Sequence, residues 1–108
     1  MAANNIIMGH VKPAAATPTT LYTVPVGRQA NVNLFISNLH ASAIDYFNVG
    51  LVPNGDSLGD DNYIAYNMAI EAGKTINYTG IALATQDLIS VNSTNGSIAF
   101  VATGLEIS

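Results

Sequence analysis

Ser57 lies in a stretch that matches a catalytic motif. The run Gly55-Asp-Ser-Leu-Gly59 fits the G-x-S-x-G pattern, in which a serine on a sharp strand-to-helix turn becomes a nucleophile. Such a hydrolase also needs a histidine base that follows the serine along the chain. Both histidines, His10 and His40, precede Ser57, and Gly, Asp and Ser are ordinary turn formers. We therefore interpret the run as a polar loop and predict that the protein is not an enzyme.

Four oxygen-bearing side chains in the same region could ligate a hard cation. They are Asp56, Asp60, Asp61 and Asn62. Carboxylate and amide oxygens suit Ca²⁺, but the EF-hand order with a closing glutamate at the twelfth position is absent. The alternative is a solvated loop that brings negative charge to the rim of a contact. We predict no bound metal and no cofactor, and we keep these four residues as the calcium alternative.

The run Ala72-Gly-Lys-Thr75 resembles the end of a phosphate-binding loop. That motif requires glycine at position 68, where this chain has Met68, and a helix after the threonine. We interpret the run as a hairpin turn. The chain has three strong bases and a net charge of −4, too few positive charges to neutralise the phosphates of a nucleic acid. DNA and RNA are therefore excluded as partners.

The elements that carry these residues have the pattern of β-strands. A chain of 108 residues is one domain, and strand patterns follow one another at the roughly 8–12-residue spacing of a sandwich, without a helical period. The alternation is cleanest from Gln29 to Ser37, where even-numbered residues are apolar. The predicted fold is all-β, with two antiparallel sheets face to face, either Ig-like or jelly-roll-like.

Turn signals predict how neighbouring strands pair. Asn95-Gly96 between two apolar runs is typical of a type I′ turn, so residues 88–107 are predicted to form a closing hairpin. Residues 29–37 are predicted to pair with residues 44–52, and Ala72-Gly73 to join strand 63–70 to strand 74–83. Gly80 and Gly104 stand where the apolar phase changes, which is typical of a β-bulge. The residues predicted to point inward from strand 63–70 are Ile64, Tyr66, Met68 and Ile70.

Residues 1–18 differ in composition from the sandwich domain, residues 19–108. Pro13 and Pro18 prevent a helix, so this segment is predicted to be an extended N-terminal arm. Ile6, Ile7 and Met8 are a poor composition for a solvated tail. We expect the arm to dock either on its own domain or on a neighbouring subunit.

Charge is scarce in this sequence. Only 9% of residues are Asp, Glu, Lys or Arg, against about 25% in an average soluble domain. We infer that neighbouring subunits cover much of the surface, and the alternative is a polar, uncharged monomer. No apolar run approaches a membrane span of about 20 residues and the N-terminus lacks a signal peptide, so we expect no membrane contact. The predicted interface residues are Ile6, Ile7, Met8, Tyr22, Phe35 and Tyr46.

Several stretches resemble the small β-sandwich virion structural proteins of tailed bacteriophages. They are residues 21–30, the Tyr63-Ile-Ala-Tyr66 run, the Ala72–Thr75 turn and the run from Asp87. The resemblance implies a capsid cement or decoration protein, or a tail-associated one, located in the virion and assembled in the host cytoplasm. The expected partners are further copies of the chain, as a homotrimer, and the major capsid protein. The alternatives are a tail, neck or fibre module, and a carbohydrate-binding sandwich that uses the Asp56–Asn62 loop and nearby tyrosines.

Overall fold

Eight β-strands make up the fold in the computed structural model, which describes residues 3–108. A single 3-10 turn, Asp60–Asn62, precedes the fifth strand. The strands are β1 (Ala3–Val11), β2 (Thr19–Thr23), β3 (Gln29–Asn38), β4 (Asp45–Val52), β5 (Tyr63–Ile70), β6 (Thr75–Leu83), β7 (Leu88–Ser93) and β8 (Ile98–Ile107). The predicted all-β class is confirmed.

Two antiparallel four-stranded sheets face each other. The first sheet has the order β1-β8-β3-β6, and the second has the order β2-β7-β4-β5. Among the strands in residues 3–108, only β4 and β5 follow each other in sequence and also pair. Every other connection crosses between the sheets. This is the double Greek-key arrangement of a jelly roll, so the topology selects that alternative over an Ig-like one.

The core lies between the sheets and is built by period-2 alternation. In β3 the even-numbered residues, from Ala30 to Ile36, are buried as predicted. Phe47 from β4 lies at the centre, where its ring makes edge-on contacts with Tyr78 and with Phe100, both at 6.4 Å between centroids. Such aromatic contacts add to the free energy gained by burying apolar area.

The three predicted hairpins are wrong for the same reason, which is that the two strands of each do not pair. Strands β7 and β8 lie in different sheets, as do β3 and β4, and β5 and β6. The turn signals do mark chain reversals: Gly96 and Gly73 both have positive φ, 77° and 72°. A local turn pattern does not specify the sheet to which the next strand belongs, because that depends on which distant strand covers its apolar face.

Asp45 holds the crossing from β7 to β8. Its carboxylate is fully buried at the start of β4 and accepts hydrogen bonds from the backbone N–H groups of Tyr46, Asn95 and Ser97, at 2.7, 3.0 and 3.1 Å. The Ser97 hydroxyl donates to the same carboxylate at 2.7 Å. Burial alone would raise the pKa of Asp45, but these hydrogen bonds outweigh it and hold the pKa below its ordinary value.

Asn38 holds the neighbouring crossings at the same end of the sandwich. Its buried amide donates to the carbonyl oxygens of Ala43 and Ile70 at 3.0 and 2.9 Å, and its Oδ1 accepts from the His40 N–H at 3.0 Å. The Ser97 hydroxyl lies 3.0 Å from the same Oδ1, so Ser97 links Asn38 to Asp45. Three inter-sheet loops are thereby joined to one buried polar cluster.

Strand β5 departs from its predicted alternation. A bulge displaces one residue, because Phe47 pairs with Met68 while Val49 pairs with Ala65. Asn67 sits in this bulge with a φ of 52°, and its N–H donates to Oδ1 of Asn48 at 2.5 Å. Ile70 is buried as predicted, but Ile64, Tyr66 and Met68 are exposed. The inward prediction is wrong for Ile64 and Tyr66. Met68 pairs with the buried Phe47, so it lies on the inward side of the sheet and is exposed because β5 is an edge strand.

The two predicted glycine bulges have opposite outcomes. Gly80, with a φ of 72°, lies in a register shift between β3 and β6, which confirms the first. The second is wrong, because β8 pairs with β3 without interruption from Asn38 to Gln29. Gly104 instead allows close approach of the backbones, since a Cβ there would lie 2.0 Å from the carbonyl oxygen of Asn31. The inward phase therefore continues to Glu106.

Residues 3–11 of the predicted N-terminal arm form β1, the edge strand of the first sheet, and a turn follows in which the Thr17 N–H donates to the Ala14 carbonyl oxygen at 3.2 Å. Ala3 to Val11 pair with Ile107 to Phe100 of β8, with an irregularity between Ile7 and Gly9. Docking is therefore on the chain's own domain. The pairing satisfies backbone groups on one side of β1 and leaves the other side as a sheet edge.

We predict that Asp45→Asn lowers stability by about 2–4 kcal/mol at neutral pH, because an amide cannot accept all the donors that the carboxylate accepts. A depressed pKa stabilises the fold above the ordinary value of 3.8, and this contribution disappears as the pH falls through the folded-state pKa. Urea unfolding between pH 7 and 2.5 should show the gap between wild type and variant narrowing at the acid end.

Asp56→Asn is the matched control for this experiment. The Asp56 carboxylate is exposed and accepts only the N–H of its neighbour Ser57, at 2.9 Å, so its loss should change stability by less than about 0.5 kcal/mol. A gap between wild type and Asp45→Asn that stays constant with pH would contradict the role assigned to Asp45.

Candidate interaction surfaces

Formal charge is excluded from the outer faces of both sheets. Among the strands of residues 3–108, the only Asp, Glu, Lys or Arg residues are Asp45 and Glu106, and both are buried. All other charged residues lie in the connections between strands. They are Lys12, Arg28, Asp56, Asp60, Asp61, Glu71, Lys74 and Asp87. Both faces can therefore be covered by a neighbour without desolvating an ion.

Glu106 is an inward-facing carboxylate in β8. It accepts a hydrogen bond from the hydroxyl of Tyr22 in β2 and an ion-paired hydrogen bond from Nη1 of Arg28, at 2.9 Å. Because β2 and β8 belong to different sheets, the contact joins them at the end opposite Asp45. Burial first, and then the hydrogen bond and charge of Glu106, raise the pKa of Tyr22.

Tyr22 was predicted to be an exposed interface residue, and this is wrong. Only 7% of its surface is accessible, because its ring packs in the core while its hydroxyl reaches Glu106. Sequence reasoning missed Glu106 because a carboxylate in a strand normally faces water. The available signal was its even position in β8, in phase with Ile98, Phe100 and Ala102.

The outer surface of the first sheet, which we call the first-sheet face, carries apolar and amide side chains. Ile7 and Phe35 are large apolar residues exposed on this face, with 70% and 36% of their surfaces accessible. Phe35 pairs with Val101 on one side and Asn77 on the other. A shallow depression of about 400 Å³ crosses this face. It is lined by Asn5, Ile6, Ile7, Asn33, Thr103 and Gly104.

A second surface lies where β5 begins, on the second sheet. We call it the tyrosine surface and define it by Tyr63, Tyr66 and Asp60, which line a depression of about 350 Å³. The two rings meet edge to face, with centroids 5.0 Å apart and an interplanar angle of 66°. Tyr66 is the more exposed of the two, with 68% of its surface accessible.

The other predicted interface residues are divided between surface and interior. Ile6 and Ile7 are exposed on β1, and Met8 is half-buried and packs against the core. Phe35 and Ile7 share the first-sheet face, because both pair with outward-facing residues of β8. Tyr46 is half-buried on β4. The structure therefore brings Ile7 and Phe35 to one face and separates Tyr46 from them.

The four calcium candidates do not converge on one point. Asn62 is buried, and its Oδ1 accepts from the Gly59 N–H at 2.6 Å, while Asp56 accepts from the adjacent Ser57 N–H. Within residues 3–108, no group of three His, Cys, Asp or Glu side chains is arranged to hold a metal ion. The side-chain oxygen of Asn62 is used to fix the 3-10 turn below Asp60.

The candidate catalytic residues are also apart from one another. Ser57 lies in the exposed β4–β5 loop, and His40 uses Nδ1 to accept the N–H groups of Ser42 and Ala43, at 3.1 and 2.9 Å. His10 is in the edge strand β1. The Ala72–Thr75 run forms a turn in which the Lys74 N–H donates to the Glu71 carbonyl at 3.1 Å, followed by β6 and not by a helix.

The fold recurs in a chain of a solved virus structure. A chain from "Structure of infectious bursal disease virus Gx strain" superposes with a TM-score of 0.50 over 97% of this chain, at 11% sequence identity. The match spans about a third of that longer chain, 30% of its length. At this identity the likeness concerns the fold. No family model and no curated protein matches the sequence.

No helix within residues 3–108 is long and apolar enough to cross a bilayer.

We predict that Tyr22→Phe and Glu106→Leu each destabilise the fold, the second by about 2–4 kcal/mol, because it leaves a buried hydroxyl and a guanidinium without their acceptor. The double variant should be less destabilised than the sum of the two by about 1–3 kcal/mol, since each single change removes the same contact. Urea unfolding of the four proteins measures this coupling. Additive changes would show that Tyr22 and Glu106 contribute independently.

Proposed function

We propose that this protein is a virion structural protein, specifically a capsid decoration or cement protein of a tailed bacteriophage. It would bind as a homo-oligomer across junctions of the major capsid protein and so stabilise the head. The observation that carries the proposal is the exclusion of formal charge from both outer sheet faces. We assign permanent cover by other subunits to the first-sheet face, which leaves the tyrosine surface of the second sheet accessible.

Two likenesses support a place in a virion. The jelly roll is similar to part of a chain from an infectious bursal disease virus structure, and the sequence pattern resembles small virion proteins of tailed phages. A shared fold does not by itself specify a function. The proposal therefore depends on the surface as well, where apolar and amide side chains replace the charges that normally keep monomers apart.

The first-sheet face has the area that a subunit contact requires. Four strands about 4.8 Å apart and nine or ten residues long span roughly 600 Å² in projection. Covering that area on two partners removes about 1,200 Å² from water, which is the lower end of specific interfaces. Asn and Thr side chains on this face both donate and accept hydrogen bonds, so they can pair with a second copy or with a different subunit.

Avidity would allow the oligomer to stabilise the capsid. An oligomer that contacts several capsid subunits at once converts weak individual contacts into stable binding. We propose a trimer, because capsid lattices offer local three-fold positions to a symmetric oligomer. The charged loops at the ends of the sandwich would remain in water and keep the assembled particle soluble.

We predict that the purified chain has a molar mass in solution near three times its 11.2 kDa, and that Phe35→Lys shifts it towards the monomer. The lysine would place a charge at the centre of the first-sheet face, where cover by a neighbour would desolvate it. Light scattering measures both masses. Tyr66→Lys is the matched control, since it charges an exposed aromatic position on the other sheet.

Location on particles tests the cement role separately. Gold-labelled antibody and cryo-electron microscopy of phage particles that contain the chain should place it on the head in many copies. Density on the tail, neck or fibres would contradict the cement role and favour the tail-associated alternative. A wild-type chain that remains monomeric at high concentration and is absent from particles would overturn the proposal.

A further inference from the structure

The tyrosine surface combines a concave shape with exposed rings and an uncommitted carboxylate. Its volume of about 350 Å³ lies within the range of small-molecule sites, about 300–1,000 Å³. Within residues 3–108 the carboxylates of Asp60, Asp61 and Glu71 form no hydrogen bond or ion pair, and of these three Asp60 lines the depression. Asp60 is thus available to accept hydrogen bonds from a ligand.

Tyr66 is exposed because a bulge interrupts the alternation of β5. The simple alternation of this strand would turn Tyr66 towards the core, and the bulge at Asn67 reverses it. A non-glycine residue in the left-handed region costs free energy and persists only where its surroundings enforce it. Here the Asn67 N–H is bound by Asn48 Oδ1 at 2.5 Å, and the Asn48 amide donates to Asn92 Oδ1 at 2.7 Å.

The base of the tyrosine surface is fixed as well. Gly50 of β4 lies beneath Leu58 and the ring of Tyr63, and a Cβ at this position would come within 2.6 Å of Leu58 Cδ1 and 3.8 Å of the ring. A side chain at position 50 would therefore displace the end of the Leu58 side chain. Asn62 fixes the turn that carries Asp60 through its hydrogen bond from Gly59. The rings and the carboxylate therefore belong to supported elements.

We propose that the tyrosine surface binds a neutral oligosaccharide. The apolar C–H face of a pyranose stacks on an exposed aromatic ring, and its hydroxyl groups donate to a carboxylate at the edge of the stack. Tyr66 provides the ring, Tyr63 supports it from the side, and Asp60 provides the acceptor. This inference is independent of the virion role, because a sugar contact does not require the first-sheet face.

Charge selects the class of sugar. Asp56, Asp60 and Asp61 lie in the loop that leads to β5, and no Lys or Arg occurs in the sequence between residues 29 and 73. A sialylated, sulfated or uronic oligosaccharide would bring a like charge to this edge. Neutral hexose and N-acetylhexosamine units meet no such repulsion, and they carry the hydroxyl donors that Asp60 can accept.

A glycan array that carries both neutral and anionic oligosaccharides tests the proposal. Wild-type protein should bind neutral glycans, and Tyr66→Ala should reduce its affinity for the same glycan by at least about tenfold, as expected for a central aromatic contact. Tyr66→Phe keeps the stacking ring and should remain within about threefold. Asp60→Asn should weaken binding, since the amide is a poorer acceptor than the carboxylate.

Leu39→Ala is the control, because it removes an exposed apolar side chain from the β3–β4 loop, outside both the first-sheet face and the tyrosine surface, and should leave glycan binding unchanged. Circular dichroism and thermal melts establish that each variant is folded. The proposal is overturned if folded wild type binds no glycan, if it binds anionic glycans alone, or if binding survives Tyr66→Ala. A loss of particle binding in Tyr66→Ala without any glycan binding would assign this surface to a protein partner instead.

Discussion

The jelly roll depends on a buried polar cluster at the end of the sandwich where three loops cross between the sheets. The carboxylate of Asp45 is buried away from water, and burial by itself disfavours its charged form. Its hydrogen bonds from Tyr46, Asn95 and Ser97 more than compensate, and Asn38 binds the adjacent loops. Crossing loops have backbone groups that no ladder satisfies, and a buried unsatisfied group costs about as much as a lost hydrogen bond. These two side chains supply partners, so the crossings are stabilised at the point where a simpler hairpin would otherwise form.

The part of the fold that could be predicted from the sequence is the part set by neighbouring residues. Strand β3 alternates without interruption, and its buried face followed directly from that pattern. The pairing of the strands could not be predicted, because Asn95-Gly96 and Ala72-Gly73 indicate that the chain reverses but do not indicate which sheet the next strand joins. In β5 the bulge at Asn67 depends on Asn48 and Asn92, which are distant in sequence. The same holds for the surface: the pattern of β3 correctly predicts Phe35 as an apolar residue on a polar face, whereas the pattern of β5 wrongly predicts that Tyr66 lies in the core.

The scarcity of charge has a structural explanation once the strands are placed. Most globular proteins tolerate Lys and Glu on the outer face of a sheet, because those positions are solvated. Here the charged residues that do not lie inside the fold all occur in connections. The loops alone must therefore keep the chain in solution, and the long edge strand β1 has none of the lysines or prolines that usually discourage pairing with other chains. Under the proposed function such an edge is tolerable, because assembly would supply the neighbours.

The two buried carboxylates lie at opposite ends of the sandwich, since Asp45 of β4 binds Ser97 just before the start of β8, while Glu106 lies near the end of β8 and pairs with Ala30. Each connects the first sheet to the second, one through Ser97 and the β7–β8 loop, the other through Tyr22 of β2. Buried side chains therefore link the two sheets at both ends of the sandwich. The specificity of the fold does not rely on groups on the outer faces. Side chains such as Phe35 and Tyr66 are consequently free to be selected for contact with other molecules. Their replacement should alter recognition while the core and both polar clusters remain intact.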